Sequence, residues 1–426
     1  MRLIIQYIGV FILSTTAFAQ NHSSILLVNG YLHTGNGDVM ETAAVGIIDG
    51  EISFVKNSNA YTIKPLEWDT VIQLGGRHIY PGFIAPNSTL GLTEIDAVRA
   101  TRDFDEVGTY NPHIRAQVAF NVESKVISTV RTNGVLISQA TPRGGSISGS
   151  SSIMKLHGWN WEDATILKDD GIHLNWPLSL SGGDWWAESK PKYSNKKYAS
   201  QKAKLYDFFQ LAQAYSKTTQ NEKFDIRLEA MRACFKGKKR VFVHADELQQ
   251  LVDIVDFVNH FELDHPVIVG GYDAHNITRL LADAKISVML LRPHSLPQNE
   301  EDDLDMGYKL PYLLQQGGVQ FCIQNEGDME AMNARNIPFL AGTAMAYGLT
   351  EEQAVQSISL SAAKILGIDK RYGSIEKGKS ATLFVSDGNA LDMRSNQLFI
   401  GMIDGIFIPV SNMQYELFKK YTEKYN

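Results

Sequence analysis

Pro81-Gly82-Phe83-Ile84-Ala85-Pro86-Asn87-Ser88-Thr89-Leu90-Gly91 is the stretch on which the fold of this chain turns. An apolar run, Phe83-Ile84-Ala85, leads to two polar side chains, Asn87 and Thr89. Residues two apart on a strand share a face, so the pair is expected to point the same way.

Upstream of it, from Ser24 to Val55, short strand-like runs alternate with turns. Ile25-Leu26-Leu27-Val28 runs into Asn29-Gly30, and Ala44-Val45-Gly46-Ile47-Ile48 into Asp49-Gly50, both hairpin signals. The same texture returns far downstream, in Ala381-Thr382-Leu383-Phe384-Val385 and in Leu398-Phe399-Ile400-Gly401-Met402-Ile403-Asp404-Gly405. β-rich ends therefore enclose a long middle.

That middle alternates strands with helices. Arg240-Val241-Phe242-Val243-His244-Ala245 reads as a buried strand, and Asp246 with Gln249 reads as the cap of the helix after it. The helix carries Leu248, Leu251, Val252, Val255 and Val258 at helical spacing. Residues 266–271, 286–291 and 319–323 repeat the strand theme. A last helix opens at Thr350, with Gln353 as its box partner, and runs to Gly367. Serial strand–helix units imply a parallel sheet. Units spread over residues 81–372 suit a closed eight-stranded barrel better than an open sheet. Residues 160–200, rich in Trp, Ser and Lys, are expected to hold a barrel segment and a long loop over the mouth.

The composition is that of a folded protein: 44% apolar and 20% charged residues exclude a disordered chain. With a net charge of −7 and only short basic runs such as Lys236 to Arg240, no nucleic-acid partner is expected. Arg2, the apolar run from Leu3 to Leu13 and Ala17-Phe18-Ala19 form a signal-peptide pattern covering residues 1–19. The run is short for a membrane span, and no cysteine follows the cleavage site. Export to the periplasm or beyond is expected, without a membrane anchor. The two cysteines, Cys234 and Cys322, sit in apolar contexts and read as buried thiols.

The opening stretch resembles the first barrel strand of the amidohydrolase superfamily, Pro-Gly-Phe-Ile-Asp-x-His-x-His-x-Gly, with Ala85, Asn87 and Thr89 at the acidic and histidine positions. Residues 47–52 and 75–84 resemble the family's entry into the barrel. Residues 362–367 and 373–381 resemble its exit, with the imidazolonepropionase-like group the nearest branch. The resemblance implies an α/β fold, a (β/α)₈ TIM barrel over residues 81–372. It also implies a small β-sandwich built from residues 24–80 and 373–412, leaving 413–426 as a C-terminal helix. The family implies a metal site that activates water against a C–N bond. Residue by residue, the implied ligands are largely replaced. The fifth-strand histidine is kept as His244, the sixth aligns with Gly270, and the eighth-strand aspartate aligns near Asn325 beside Glu326. The fourth-strand position is assigned to Asn175. Zinc needs three or four ligands from His, Cys or carboxylate, so no cofactor is expected unless zinc is held by recruited ligands.

Each candidate has a bland alternative. His244 is a general base or an inner-barrel residue left by descent; Asp246 is a helix cap before it is a catalytic acid. Glu326 and Asp328 form an acid–base pair or a solvated loop. His113, His157, His173, His265 and His275 match no metal spacing. Gly144-Gly145-Ser146-Ile147-Ser148-Gly149-Ser150-Ser151 lacks the P-loop lysine and reads as a flexible loop at the mouth, with Arg143 as an anion clamp or a salt-bridge partner. Trp159, Trp161, Trp176, Trp185 and Trp186 form a sugar-binding face or a satellite core. The leading expectation is an exported protein with an eroded metal centre. It would bind a small molecule, or a related amidohydrolase subunit, through Asn87, Thr89, Arg143, Asn175, Asn325 and Glu326. The alternatives are a hydrolase of C–N bonds working through His244 with Glu326 or Asp273, and a carbohydrate binder.

Overall fold

A computed structural model describes residues 23–62, 64–181, 193–218, 224–327 and 329–425. The expected leader, Trp185, Trp186 and Asp328 lie outside the described residues. The architecture is mixed α/β, with two large sheets.

The central sheet takes its eight strands in chain order: Phe83–Ser88, Val135–Ala140, Ile147–Lys155, Thr165–Asn175, Arg240–Ala245, Val267–Gly270, Ser287–Leu290 and Phe321–Ile323. Most neighbours are parallel, as strand–helix alternation predicts. Ile147–Lys155 is the exception and runs antiparallel to both its neighbours. A parallel return needs a crossover of about a dozen residues or more; residues 141–146 are too few, so the chain turns straight back. The Gly-Ser segment expected as a flexible loop is thus mostly this strand, with Ser150, Ser151 and Ser152 buried. Its leading Gly145 is packed so closely that a Cβ would stand 2.8 Å from the Gly108 carbonyl oxygen.

The sheet curls until its first and last strands face each other. Asn87 reaches Gln324 and Glu326 across that seam. The last helix supplies a further link. Its Thr350–Gln353 capping box and its end at a left-handed Gly367 are as expected, but it divides into Glu351–Ser357 and Leu360–Leu366. The break frees the Ile358 carbonyl, which accepts the Ile84 N–H at 2.9 Å. A continuous helix would have used that carbonyl internally.

Around the sheet, the helix after His244 runs Leu248–Phe261 and buries Leu251, Val255 and Val258. Its aromatic residues pack edge to face, Phe257 against Phe261 and Phe209 at 4.8 Å each. Cys234 and Cys322 are both free and buried, and burial pushes the Cys234 thiol up to about 12.

Both ends of the chain meet in the second sheet. Its path runs from Ile406–Ile408 through Leu398–Ile403, Leu383–Ser386, His78–Pro81, Ser24–His33 and Val39–Ile48 to Glu51–Asn57, with Thr70–Gln73 branching beside Ser24–His33. Asp49-Gly50 forms a hairpin turn with both residues at positive φ. Asn29-Gly30 does not; it lies inside a strand as a bulge, with Asn29 at φ 60°. His33 fastens this sheet to the last helix pair, its ring meeting Glu352 at 2.5 Å and His78 at 3.0 Å.

The turns at Gly50 and Gly405 touch. A Cβ at Gly405 (φ +78°) would lie 2.4 Å from the Gly50 Cα. Gly405→Ala combines that clash with left-handed strain, so it should cost about 1–3 kcal/mol in urea unfolding. Gly378→Ala, at positive φ but with open space around it, should cost less.

Candidate active site

The centre is assembled at the C-terminal ends of the central strands, where barrel chemistry sits. His244, near the end of Arg240–Ala245, is bonded through one ring nitrogen and turns the other towards a carboxylate. Its Nε2 meets His173 Nδ1 at 2.9 Å, and its Nδ1 lies 3.8 Å from Glu326 Oε1. His173 comes from Thr165–Asn175, is fully buried, and stacks on Phe242 with ring centroids 4.7 Å apart. Burial, then the charges of His244 and Arg143, holds its imidazole well below the ordinary histidine range. Its Nε2 is buried without a hydrogen-bond partner among the described residues.

Glu326 carries the opposite perturbation. Burial alone would raise its carboxyl, but the His244 contact and the positive charges of His244 and Arg143 bring it down to about 2. Asn87 Nδ2 and Gln324 Nε2 both donate to its Oε2, at 3.2 and 3.1 Å. It is an anion at any working pH.

Asn87 is the hub of the seam. Its φ of 47° is left-handed, a conformation that asparagine tolerates better than most residues. The twist overturns the expected common face with Thr89. Asn87 turns into the centre, whereas Thr89 lies beyond the strand and lines an outer cleft. Asn87 donates its backbone N–H to Gln139 Oε1 at 2.9 Å. Its Oδ1 and its carbonyl oxygen each accept from Arg143, both at 2.9 Å. The same guanidinium grips Glu330 at 2.9 and 3.0 Å. Arg143 is therefore a salt-bridge partner, and a structural cation stands beside the first-strand position.

Asp246 is not the helix cap. Glu247 takes that role one residue later, with Gln250 accepting its N–H at 3.0 Å. Asp246 instead accepts the Tyr272 N–H at 3.2 Å. Burial and then the Glu326 charge push its carboxyl up to about 7. This placement also explains the sixth-strand glycine. A Cβ on Gly270 would stand 2.5 Å from Asp246 Oδ1, at a φ of +106°, so no side chain fits there.

Two expected residues serve elsewhere. Asn175 donates to the Gly145 carbonyl at 2.8 Å and to Ser148 Oγ at 3.0 Å, fixing the chain below the mouth. Among the described residues, Asn325 makes one long side-chain contact, 3.4 Å to the Glu330 carbonyl. His173 and Gln324 stand in their places at the centre. His173 shares a face with Asn175, so strand periodicity held the signal. Asp273 accepts the Leu248 N–H at 2.9 Å, at the helix start. Among the described residues, Trp159 and Trp176 share no platform: Trp159 is 91% exposed, while Trp176 is 4% exposed and packs edge-on against Phe257.

The donors do not suit a divalent metal. Among the described residues, no three of His, Cys, Asp and Glu form a metal-holding group. His244 Nε2 is bonded to His173, and neutral amides occupy the seam. Beside the centre opens a cleft of about 500 Å³, bordered by Thr89, Asp96, Arg102, Phe104, Arg143 and Glu330.

A model of the amidohydrolase family matches residues 214–408. An amidohydrolase of Hapsidospora irregularis, tasK, is 24% identical over 170 residues, covering 39% of this chain and 17% of that protein's length. The fold is similar to that of an amidohydrolase from Thermotoga maritima MSB8, at a TM-score of 0.76 and 22% identity over 90% of this chain and 99% of that one. It is also similar to a zinc-bound adenosine deaminase from Xanthomonas campestris, at a TM-score of 0.53 and 14% identity over 94% and 97% of the two chains. Residues 214–408 thus resemble the amidohydrolase family in sequence, and the chain resembles solved amidohydrolases in fold.

Proposed function

We propose that this protein is an amidohydrolase-superfamily member whose strand-end pocket binds a small polar ligand without a divalent metal. One observation carries the reading: Arg143 bonds both the side chain and the backbone of Asn87, the residue at the first-strand ligand position. A fixed guanidinium and a web of amides replace a metal and its ligands. Neutral amide donors beside one carboxylate suit a ligand with amide or hydroxyl groups.

Metal analysis of mature protein, grown with zinc, manganese and iron available, tests this. The expected content is well below one ion per chain, and exhaustive chelation should leave the thermal midpoint unchanged. About one tightly held ion per chain would defeat the proposal.

The Asp246–Glu326 pair favours a second reading, metal-free hydrolysis of a C–N bond. Carboxyls pushed to about 7 and about 2, close enough for the charge of one to raise the other, supply an acid and a permanent anion. In that reading His173 orients His244 through its Nε2, and His244 Nδ1, beside Glu326, takes a proton from water as the oxygen attacks the carbonyl carbon. The C–N bond then breaks as Asp246 gives its proton to the leaving nitrogen. Turnover of cyclic amides or small peptides that vanishes in His244→Ala supports this reading; no turnover across the panel counts against it.

The wider arrangement belongs to the same proposal. Residues 81–372 form a (β/α)₈ barrel, residues 24–80 and 373–412 form one β-sandwich domain, and the protein is exported after losing residues 1–19. A related amidohydrolase subunit is the proposed partner. Purification from the native cell without any such subunit would remove that part.

A further inference from the structure

The cleft beside the centre holds polar groups that the rest of the protein leaves unsatisfied. Thr89 is 1% exposed, and its Oγ1 is buried with no hydrogen-bond partner among the described residues. Arg102 has a buried Nε without a partner and makes no ion pair among the described residues. Its guanidinium carbon lies 5.8 Å from the centroid of the Phe104 ring. An arginine half-removed from water and unpaired is costly, and an incoming anion relieves that cost.

The charges around the cleft narrow the anion. Arg143 and Glu330 close on each other at 2.9 Å and cancel. Among the described residues Arg102 and Asp96 remain, one free cation and one acid at the border of the open cleft. A single negative charge matches Arg102; a phosphate dianion would also meet Asp96 and Glu330. Phe104, Ala97 and Met329 give the remaining wall an apolar character.

Resting on the reading that this pocket takes a ligand, we propose that Arg102 and Thr89 hold the carboxylate of a small organic acid with an apolar body. The guanidinium presents a planar fork that pairs with a carboxylate, and Thr89 donates its hydroxyl to the same group. The body of the ligand lies along Phe104 and leads towards Asn87 and Glu326.

Titration calorimetry with N-acetylleucine, N-acetylleucinamide and phenyl phosphate tests this on the full chain. The acid should bind at least about tenfold tighter than its amide, the order of one charge-assisted contact. Arg102→Gln should erase that preference with the unfolding midpoint unchanged, and Arg102→Lys should restore part of it. Thr89→Val should weaken the acid alone. Equal binding of acid and amide, a preference that survives Arg102→Gln, tighter binding of phenyl phosphate, or no binding of any probe would each overturn the assignment. The metal-free reading stands or falls separately, on metal content.

Discussion

Arg143→Met should lower the unfolding free energy by about 3 kcal/mol, the scale of breaking a largely buried ion pair from one side. The Arg143 and Glu330 side chains are 19% and 11% exposed, so the stranded carboxylate would find little water. The substitution also removes both bonds to Asn87, at the seam between the first and last central strands. Guanidinium chloride unfolding measures the loss. Arg143→Lys should recover only part, because one ammonium cannot span Glu330 and both Asn87 oxygens. Adding Glu330→Gln to Arg143→Met should recover more, since no unpaired charge then remains. A loss below about 1 kcal/mol would show that the seam does not depend on this residue.

Asp246→Asn has the opposite sign. The folded-state carboxyl is raised to about 7, first by burial and then by the Glu326 charge. A raised acid weakens the fold where it must ionise. The penalty is absent below the ordinary aspartate value near 4, grows as the pH rises through that window, and is complete above about 7. The variant should therefore match the wild type near pH 4 and exceed it by about 2 kcal/mol near pH 8, with allowance for the water that still reaches this group. In a Glu326→Gln background the gain should shrink, because one of its causes is gone. An equal difference at both pH values would detach the effect from ionisation. A residue that weakens the fold at neutral pH is a reasonable place to seek function. The same variant should abolish amide turnover wherever the wild type shows it.

Much of the fold is legible in the residues. Asp49-Gly50 and Asp404-Gly405 mark tight turns, Thr350 with Gln353 marks a helix start, and Gly367 marks its end. Direction is not legible in the same way. The residues of Ile147–Lys155 would suit either orientation, and only the short connection before it forces the reversal. The site divides similarly. His244 and Glu326 follow apolar runs and stand out as polar strand ends. His173 lies two residues before Asn175, within a strand whose face only register reveals. The twist at Asn87 is a tertiary effect, and it broke the simple rule that would have set Thr89 beside it. Asp246 showed as a helix cap because acids favour that position, but here Glu247 occupies it.

The joining of both chain ends in one sheet also sets an order of events during synthesis. His78–Pro81 pairs with Leu383–Ser386, and that partner is made only after the whole central sheet has left the ribosome. Until then one side of the strand is an open edge, the kind of surface that recruits other chains. Pairing over so long a separation closes late and slowly. Residues 383–408 therefore act as a clasp: a chain halted before them carries an adhesive border, and the completed one conceals it.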